Sequence, residues 1–94
     1  MRRAAKVDTN QRPIVEQLRG IFGPDCVFDL SAVGQGCPDI MVGVRGVNLL
    51  MEIKTPTGKL TDDQIIFHRT WPGQVAVVRS LADALAIIER ETCR

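Results

Sequence analysis

Three side chains able to do chemistry stand in the middle of the chain. Asp39 follows Gly36-Cys37-Pro38 and opens the apolar run Ile40-Met41-Val42, and Glu52 and Lys54 sit two apart in Leu49-Leu50-Met51-Glu52-Ile53-Lys54. Successive strand side chains point to opposite faces, so Glu52 and Lys54 share one face while Ile53 takes the other. If the two runs pair, Asp39 can meet them there as a metal site with a cation beside it. A rival account makes Glu52 and Lys54 the exposed alternation of an edge strand and Asp39 a turn residue at the start of its strand. Val47, Leu49, Leu50, Met51 and Ile53 do not alternate as an exposed edge would, which favours charge placed on an otherwise buried strand.

The elements that must position these groups can be read from periodicity and punctuation. Asp8, Thr9 or Asn10 can cap a first helix whose apolar residues Ile14, Val15, Leu18, Ile21 and Phe22 recur with helical spacing until Gly23-Pro24 stops it. Residues 26–30 read as a strand and 31–38, with Gly34 and Gly36, as a loop. Residues 39–44 and 47–54 form a hairpin around Arg45-Gly46, and their near-continuous hydrophobicity implies burial on both faces. Thr55-Pro56-Thr57-Gly58 breaks the strand, and a second helix runs from Thr61 to about Trp71, with Phe67 and Trp71 assigned to the core. Residues 75–78 give a fourth strand, and Ser80 caps a last helix, with Asp83 at the capping-box position. Short links among the first three strands imply an antiparallel meander, and strand–helix–strand across 47–78 implies a parallel crossover. The expected fold is α/β: a mixed four-stranded sheet flanked by helices, in the order helix, three strands, helix, strand, helix.

With 94 residues, the chain is one domain over 1–94, with 1–8 a flexible basic N-terminus. A domain of this size buries only roughly 60–68% of its unfolded surface, so a partner subunit would help, and a homodimer is expected. The formal charge of +1 announces neither a nucleic-acid binder nor an acidic-ligand binder, although residues 1–22 carry five of the basic residues against Asp8 and Glu16. Cys26, Cys37 and Cys93 make no Cys-x-x-Cys pair, and one histidine accompanies them. Reduced thiols in a cytoplasmic protein fit better than a zinc site or a disulfide framework. No apolar run approaches the roughly 18 residues of a membrane span.

Gly36-x-Pro38-Asp39, Glu52-x-Lys54, Gly58-x-Leu60 and Gln64, followed by Gly73 and Val75-Ala76-Val77-Val78-x-Ser80, resemble a stand-alone virus-type replication-repair nuclease domain of the PD-(D/E)XK superfamily. The resemblance covers roughly residues 10–88 and is specific through its order: Asp and Glu-x-Lys alone are short strings. It implies a restriction-endonuclease-like core and metal-dependent hydrolysis of DNA phosphodiesters. It also implies dimers acting on branched DNA such as four-way junctions, in viral or bacterial replication or repair.

Such hydrolysis requires an activated water, an in-line approach and neutralisation of charge on the phosphoryl and leaving oxygens. Hard oxygen ligands suit Mg²⁺ or Mn²⁺, and Mg²⁺ commonly takes one or two carboxylates while keeping several waters. Asp39 and Glu52 supply that number, and the Ile53 backbone carbonyl could add a third protein ligand. Lys54 would orient the attacking water or stabilise the phosphoryl charge. Thr61-x-x-Gln64 is a capping box that accounts for Gln64 by itself, while the resemblance puts a glutamine at the rim of the site. Many members of the superfamily carry a first-helix Glu near the metal. Here Glu16 falls opposite the apolar stripe, so Gln11, on the inner face, or Asp8, one turn earlier, is the better candidate. Gly34-Gln35-Gly36 could let backbone approach a phosphate closely. Arg45, Lys59, His68 and Arg69 are further candidate DNA contacts. No motif resembles a base reader, which favours recognition of DNA shape and backbone. The alternatives are a DNA-binding or assembly module of the same fold without catalysis, and a restriction-type nuclease cutting a defined sequence.

Overall fold

The computed structural model describes residues 9–93, which leaves Asp8 outside the described part. The elements are α1 (Gln11–Phe22), β1 (Val27–Asp29), β2 (Ile40–Val44), β3 (Val47–Ile53), α2 (Asp62–Thr70), β4 (Ala76–Val78) and α3 (Leu81–Thr92). The order is the expected one, and the ends move by a residue or two. The sheet runs β1-β2-β3-β4, antiparallel through the first three strands and parallel between β3 and β4. The fold is therefore α/β with a mixed four-stranded sheet and three helices.

Local chemistry fixes the junctions. Arg45 (φ 53°) and Gly46 (φ 79°) both take the left-handed conformation that a two-residue hairpin turn needs at its two central positions. α1 ends where Gly23, at φ 115°, lets its N–H return to the Arg19 carbonyl at 2.9 Å. Thr61 caps α2 through a complete capping box with Gln64, and Ser80 caps α3 by accepting from the Asp83 N–H at 3.1 Å. The Asp83 carboxylate reaches the Arg79 N–H, at 3.0 Å, one residue before the position a capping box would use.

The core lies on one face of the sheet. Ile40, Val42 and Val44 from β2 and Leu49, Met51 and Ile53 from β3 meet Ile14 and Leu18 of α1 and Ala84 and Ile88 of α3, all buried. Each of these side chains except the small Ala84 contributes about 1.5–3 kcal/mol by leaving water. Burial on both faces, as the hydrophobicity of β2 and β3 implied, is corrected by the structure. Only α2, nine residues long and without one buried side chain, stands on the second face. It covers the Glu52 end of β3 and leaves Met41 and Leu50 half-buried. Phe67 and Trp71 are likewise not core: their rings stack at 5.1 Å and 15°, and Trp71 stays 45% exposed. A short helix reaches the sheet with one end only, so its far turn ends as the wall of a groove.

Candidate functional site

The register brings the expected acidic pair together. Ile40 lies opposite Met51, and continuing that antiparallel ladder sets Asp39 opposite Glu52 one residue on and Pro38 opposite Ile53 two residues on. Directly opposed residues in such a ladder share a face, and Lys54 follows Glu52 on it. All three are buried, with 9%, 1% and 8% exposure for Asp39, Glu52 and Lys54. Asp39 Oδ2 accepts the Ile53 N–H at 2.7 Å, which turns the carboxylate toward the end of β3. The N–H and C=O of one strand residue point to the same side, so the Ile53 carbonyl is directed toward β2. Pro38 has no N–H to give it. A proline at this register therefore opens the ladder beside the two carboxylates.

Gln64 joins the two sequence readings in one side chain. Its Oε1 accepts the Thr61 N–H at 2.9 Å, completing the capping box, while its Nε2 donates to Glu52 Oε2 at 3.2 Å. The amide thus starts α2 and holds a carboxylate of the site at once. Cys37 stands close enough to feel both acids: burial pushes its thiol up, and the charges of Glu52 and Asp39 push it further the same way. Two carboxylates and one directed carbonyl suit a hard cation that keeps most of its water. Among the described residues no three His, Cys, Asp or Glu side chains gather as a metal cluster of any kind.

Around Lys54 the backbone is clamped by residues outside the expected set. Its N–H donates to the Val78 carbonyl at 2.9 Å. Its own carbonyl accepts from Asn10 Nδ2 at 2.8 Å, and the same amide reaches the Arg79 carbonyl at 3.3 Å. Asn10 occupies the N-cap position of α1 but makes no cap bond with its side chain, because that side chain spans to Lys54. The Arg79 guanidinium donates to the Thr55 and Gly58 carbonyls, both at 2.7 Å, and so fixes the turn between Lys54 and α2. Nothing in the local sequence marks Arg79, since its partners lie 21 and 24 residues away.

The remaining candidates separate. Glu16 faces solvent, paired with Arg12 at 3.1 Å, as its place on the helix implies. Gln11 is 5% exposed on the inner face, but it lines a cleft of about 240 Å³ between α1 and β1 with Arg19, Asp29 and Ile40. Its Oε1 is buried there without a hydrogen-bond partner. Gly36 makes a close backbone approach, though to α2 and not to an open surface. A Cβ there would be 2.6 Å from the Asp63 carbonyl carbon. Gly34, Gln35 and Gly36 all have positive φ and form the tight turn that permits that approach. Arg45, a candidate DNA contact, sits at the hairpin tip, about 20 Å from Asp39 by strand rise, and donates to Thr92 Oγ1 of α3 at 2.9 Å. Lys59, in the turn before α2, and Arg69, in its last turn, are exposed.

His68, a candidate DNA contact, is half-buried on α2. Its Nε2 is buried without a partner, and burial holds the imidazole below its usual 6.5. The folded chain thus takes up this proton less readily than the unfolded one. The contribution of His68 to stability is full above about pH 6.5 and is lost as pH falls from there through the lower folded pKa. Urea unfolding at about pH 7.5 and about pH 5.5 should show wild type losing more stability on acidification than His68→Leu. Equal losses would place the imidazole in water. No helix among the described residues is long and apolar enough to cross a membrane. The chain matches no family model, and no curated protein is measurably similar to it.

Proposed function

We propose that the chain is a metal-dependent DNA endonuclease of the virus-type replication-repair kind. In this reading it has a restriction-endonuclease-like core and acts as a homodimer on branched DNA such as four-way junctions. The observation that carries the reading is the buried, face-sharing trio Asp39, Glu52 and Lys54 at an opened end of the sheet, with Gln64 donating to Glu52 at 3.2 Å. Structural roles alone do not call for two carboxylates and an amine in one apolar corner, since burying charge is costly.

Asp39 and Glu52, with the Ile53 carbonyl, would hold Mg²⁺ or Mn²⁺. That ion, when bound, would supply Lewis acidity and an acidified water. The rest falls to the chain. The Ile53 N–H and the Gln64 amide fix the two carboxylates so that little reorganisation accompanies reaction. Lys54, held at both its N–H and its carbonyl, places a compact cation where negative charge grows on the phosphoryl oxygens. The wall of α2 limits water on one side. A dimer suits a junction, because its strands are related by two-fold symmetry and two equivalent sites would meet two equivalent bonds.

The test is a cleavage assay on a four-way junction and a linear duplex of the same sequence, with Mg²⁺, Mn²⁺ or EDTA. Wild type should nick the junction in either metal and leave the linear duplex largely intact. Lys54→Met should reduce the rate by about 10²-fold or more. Binding of the junction without cleavage in any divalent metal would make the chain a binding module. Discrete fragments from a long unmodified duplex would make it a sequence-specific nuclease.

A further inference from the structure

The cleft between α1 and β1 takes no part in the site described above. Val15, Val27 and Ile40 give it apolar walls, and Gln11 sets an amide among them. Gln11 is 5% exposed, and its Oε1 is buried without a hydrogen-bond partner. Orphaned polar atoms of this kind are rare in folded chains and call for an explanation. A single water would satisfy the oxygen, yet the cleft's volume of about 240 Å³ is roughly that of eight waters at about 30 Å³ each. Apolar walls around one amide suit a flat ring with polar groups on its edge.

The charges beside the cleft say what that ring is attached to. Arg12 and Arg19 both line it, on one face of α1 and about 10 Å apart along its axis, with Val15 between them. Neither is firmly engaged. Arg12 pairs with Glu16 at the surface, where such pairs are worth little, and Arg19 reaches the Val27 carbonyl only at 3.4 Å. Among the described residues that line the cleft, Asp29 is the one anion, and its Oδ1 is taken by the Ser31 N–H at 2.8 Å and the Ser31 hydroxyl at 2.6 Å. Two guanidiniums on either side of an apolar slot match one nucleotide of a strand, with a phosphate on each side and its base between them.

We infer that this cleft binds the unstacked base of one unpaired nucleotide in a DNA strand, with the Gln11 amide on the edge of the base and Arg12 and Arg19 on the flanking phosphates. The inference deepens the proposed function by naming a feature of its substrate, and it rests on that reading for DNA as the ligand. Position supports it. Ile40 in the cleft follows Asp39, and Gln11 follows Asn10, whose amide holds the Lys54 carbonyl at 2.8 Å. Cleft and carboxylates therefore lie at one end of the sheet on opposite faces, so a strand with one nucleotide in the cleft brings its next phosphodiesters toward Asp39 and Glu52. An amide accepts at one end and donates at the other, as the edges of all four bases also do. The cleft thus tells an unpaired base from a paired one without reading sequence.

Fluorescence anisotropy in EDTA tests this with labelled duplexes of one sequence, one carrying a single unpaired deoxyadenosine and the other an abasic residue in its place. Wild type should bind the deoxyadenosine bulge at least about tenfold more tightly than the abasic one, and Gln11→Leu should shrink that difference to less than about twofold. Leucine puts an apolar group of similar size where the orphaned amide stood, so the fold is expected to hold. Should it not, Val15→Phe, which fills the cleft from α1, takes its place. Arg19→Gln should weaken binding of the bulge and lower the slope of log K against log salt by about one. Equal affinity of wild type for the two bulges, a difference that survives filling or apolar replacement, or an unchanged salt slope in Arg19→Gln overturns the inference. So does displacement of the bulge by deoxyadenosine monophosphate at about 1 mM, which would give the cleft to a free nucleotide. Because no cleavage is read, a chain that holds the bulged base but never cuts DNA would remove the nuclease reading alone, and one that cuts junctions without preferring the base would remove this one alone.

Discussion

Glu52→Gln is expected to lower metal-dependent junction cleavage by about 10³-fold or more while leaving the chain folded. The substitution keeps the shape of a side chain that is 1% exposed and changes only its charge. Gln64 Nε2 can still donate to the carbonyl oxygen of the new amide, so the contact to α2 survives. What is lost is one of two anionic oxygen donors, in a place where Mg²⁺ or Mn²⁺ would rely on few protein ligands. The check pairs single-turnover cleavage with Mn²⁺ titration by calorimetry and thermal unfolding in EDTA. Weakened ion binding, lost cleavage and cooperative unfolding together are the expected pattern. Cleavage within about threefold of wild type would mean that the carboxylate holds no ion during reaction, and the trio would become a structural ion-pair cluster.

Gly36→Ala should cost about 3 kcal/mol of stability, the largest effect expected from adding a single methyl group to this chain. Two causes combine. The new Cβ would fall on the Asp63 carbonyl oxygen and 2.6 Å from its carbon, and these are backbone atoms of the first turn of α2 that cannot swing aside. The φ of 79° is also one that L residues adopt only at a cost of about 1–2 kcal/mol. Relief requires α2 to lift from the loop, and Gln64 lifts with it, away from Glu52. Urea unfolding should show a lower midpoint with an unchanged slope, and cleavage should fall by more than the unfolded fraction accounts for. A loss below about 1 kcal/mol would mean that the loop yields in place of the helix.

The sequence was a good guide wherever an argument stayed within a few residues. The alternation that placed Glu52 and Lys54 together, the Thr61-x-x-Gln64 box and the Arg45-Gly46 turn each stand as their local chemistry implies. The reading failed where layers decide. The hydrophobicity of β2 and β3 looked like burial on both faces because Met41 and Leu50 are as apolar as Val42 and Leu49. What makes them half-exposed is the length and placement of α2, which periodicity within a strand does not encode. Phe67 and Trp71 were misassigned for the same reason, since an apolar stripe on a helix says which way it faces and not how much lies beneath it. Arg45 and Gly36 attracted attention as surface features near the site, yet one is tied to α3 and the other pressed against α2 by contacts distant in sequence. Asn10 is marked in the sequence only as a candidate helix cap, and Arg79 is not marked at all. Their partners are backbone carbonyls, which every residue has, so no side-chain pattern could point to them.

The Asn10 amide touches Lys54 and Arg79 across 44 and 69 residues of chain. It follows that the corner holding Lys54 is assembled from the first helix, the third strand and the far end of the fourth, and not from any one stretch. A chain emerging from the ribosome has its carboxylates in place long before it has Arg79, since synthesis adds only about 5–20 residues each second. Through that interval, and in any fragment that stops short of β4, Lys54 lacks its brace. If the proposed nuclease function holds, full activity is expected only once nearly the whole domain has been made and folded.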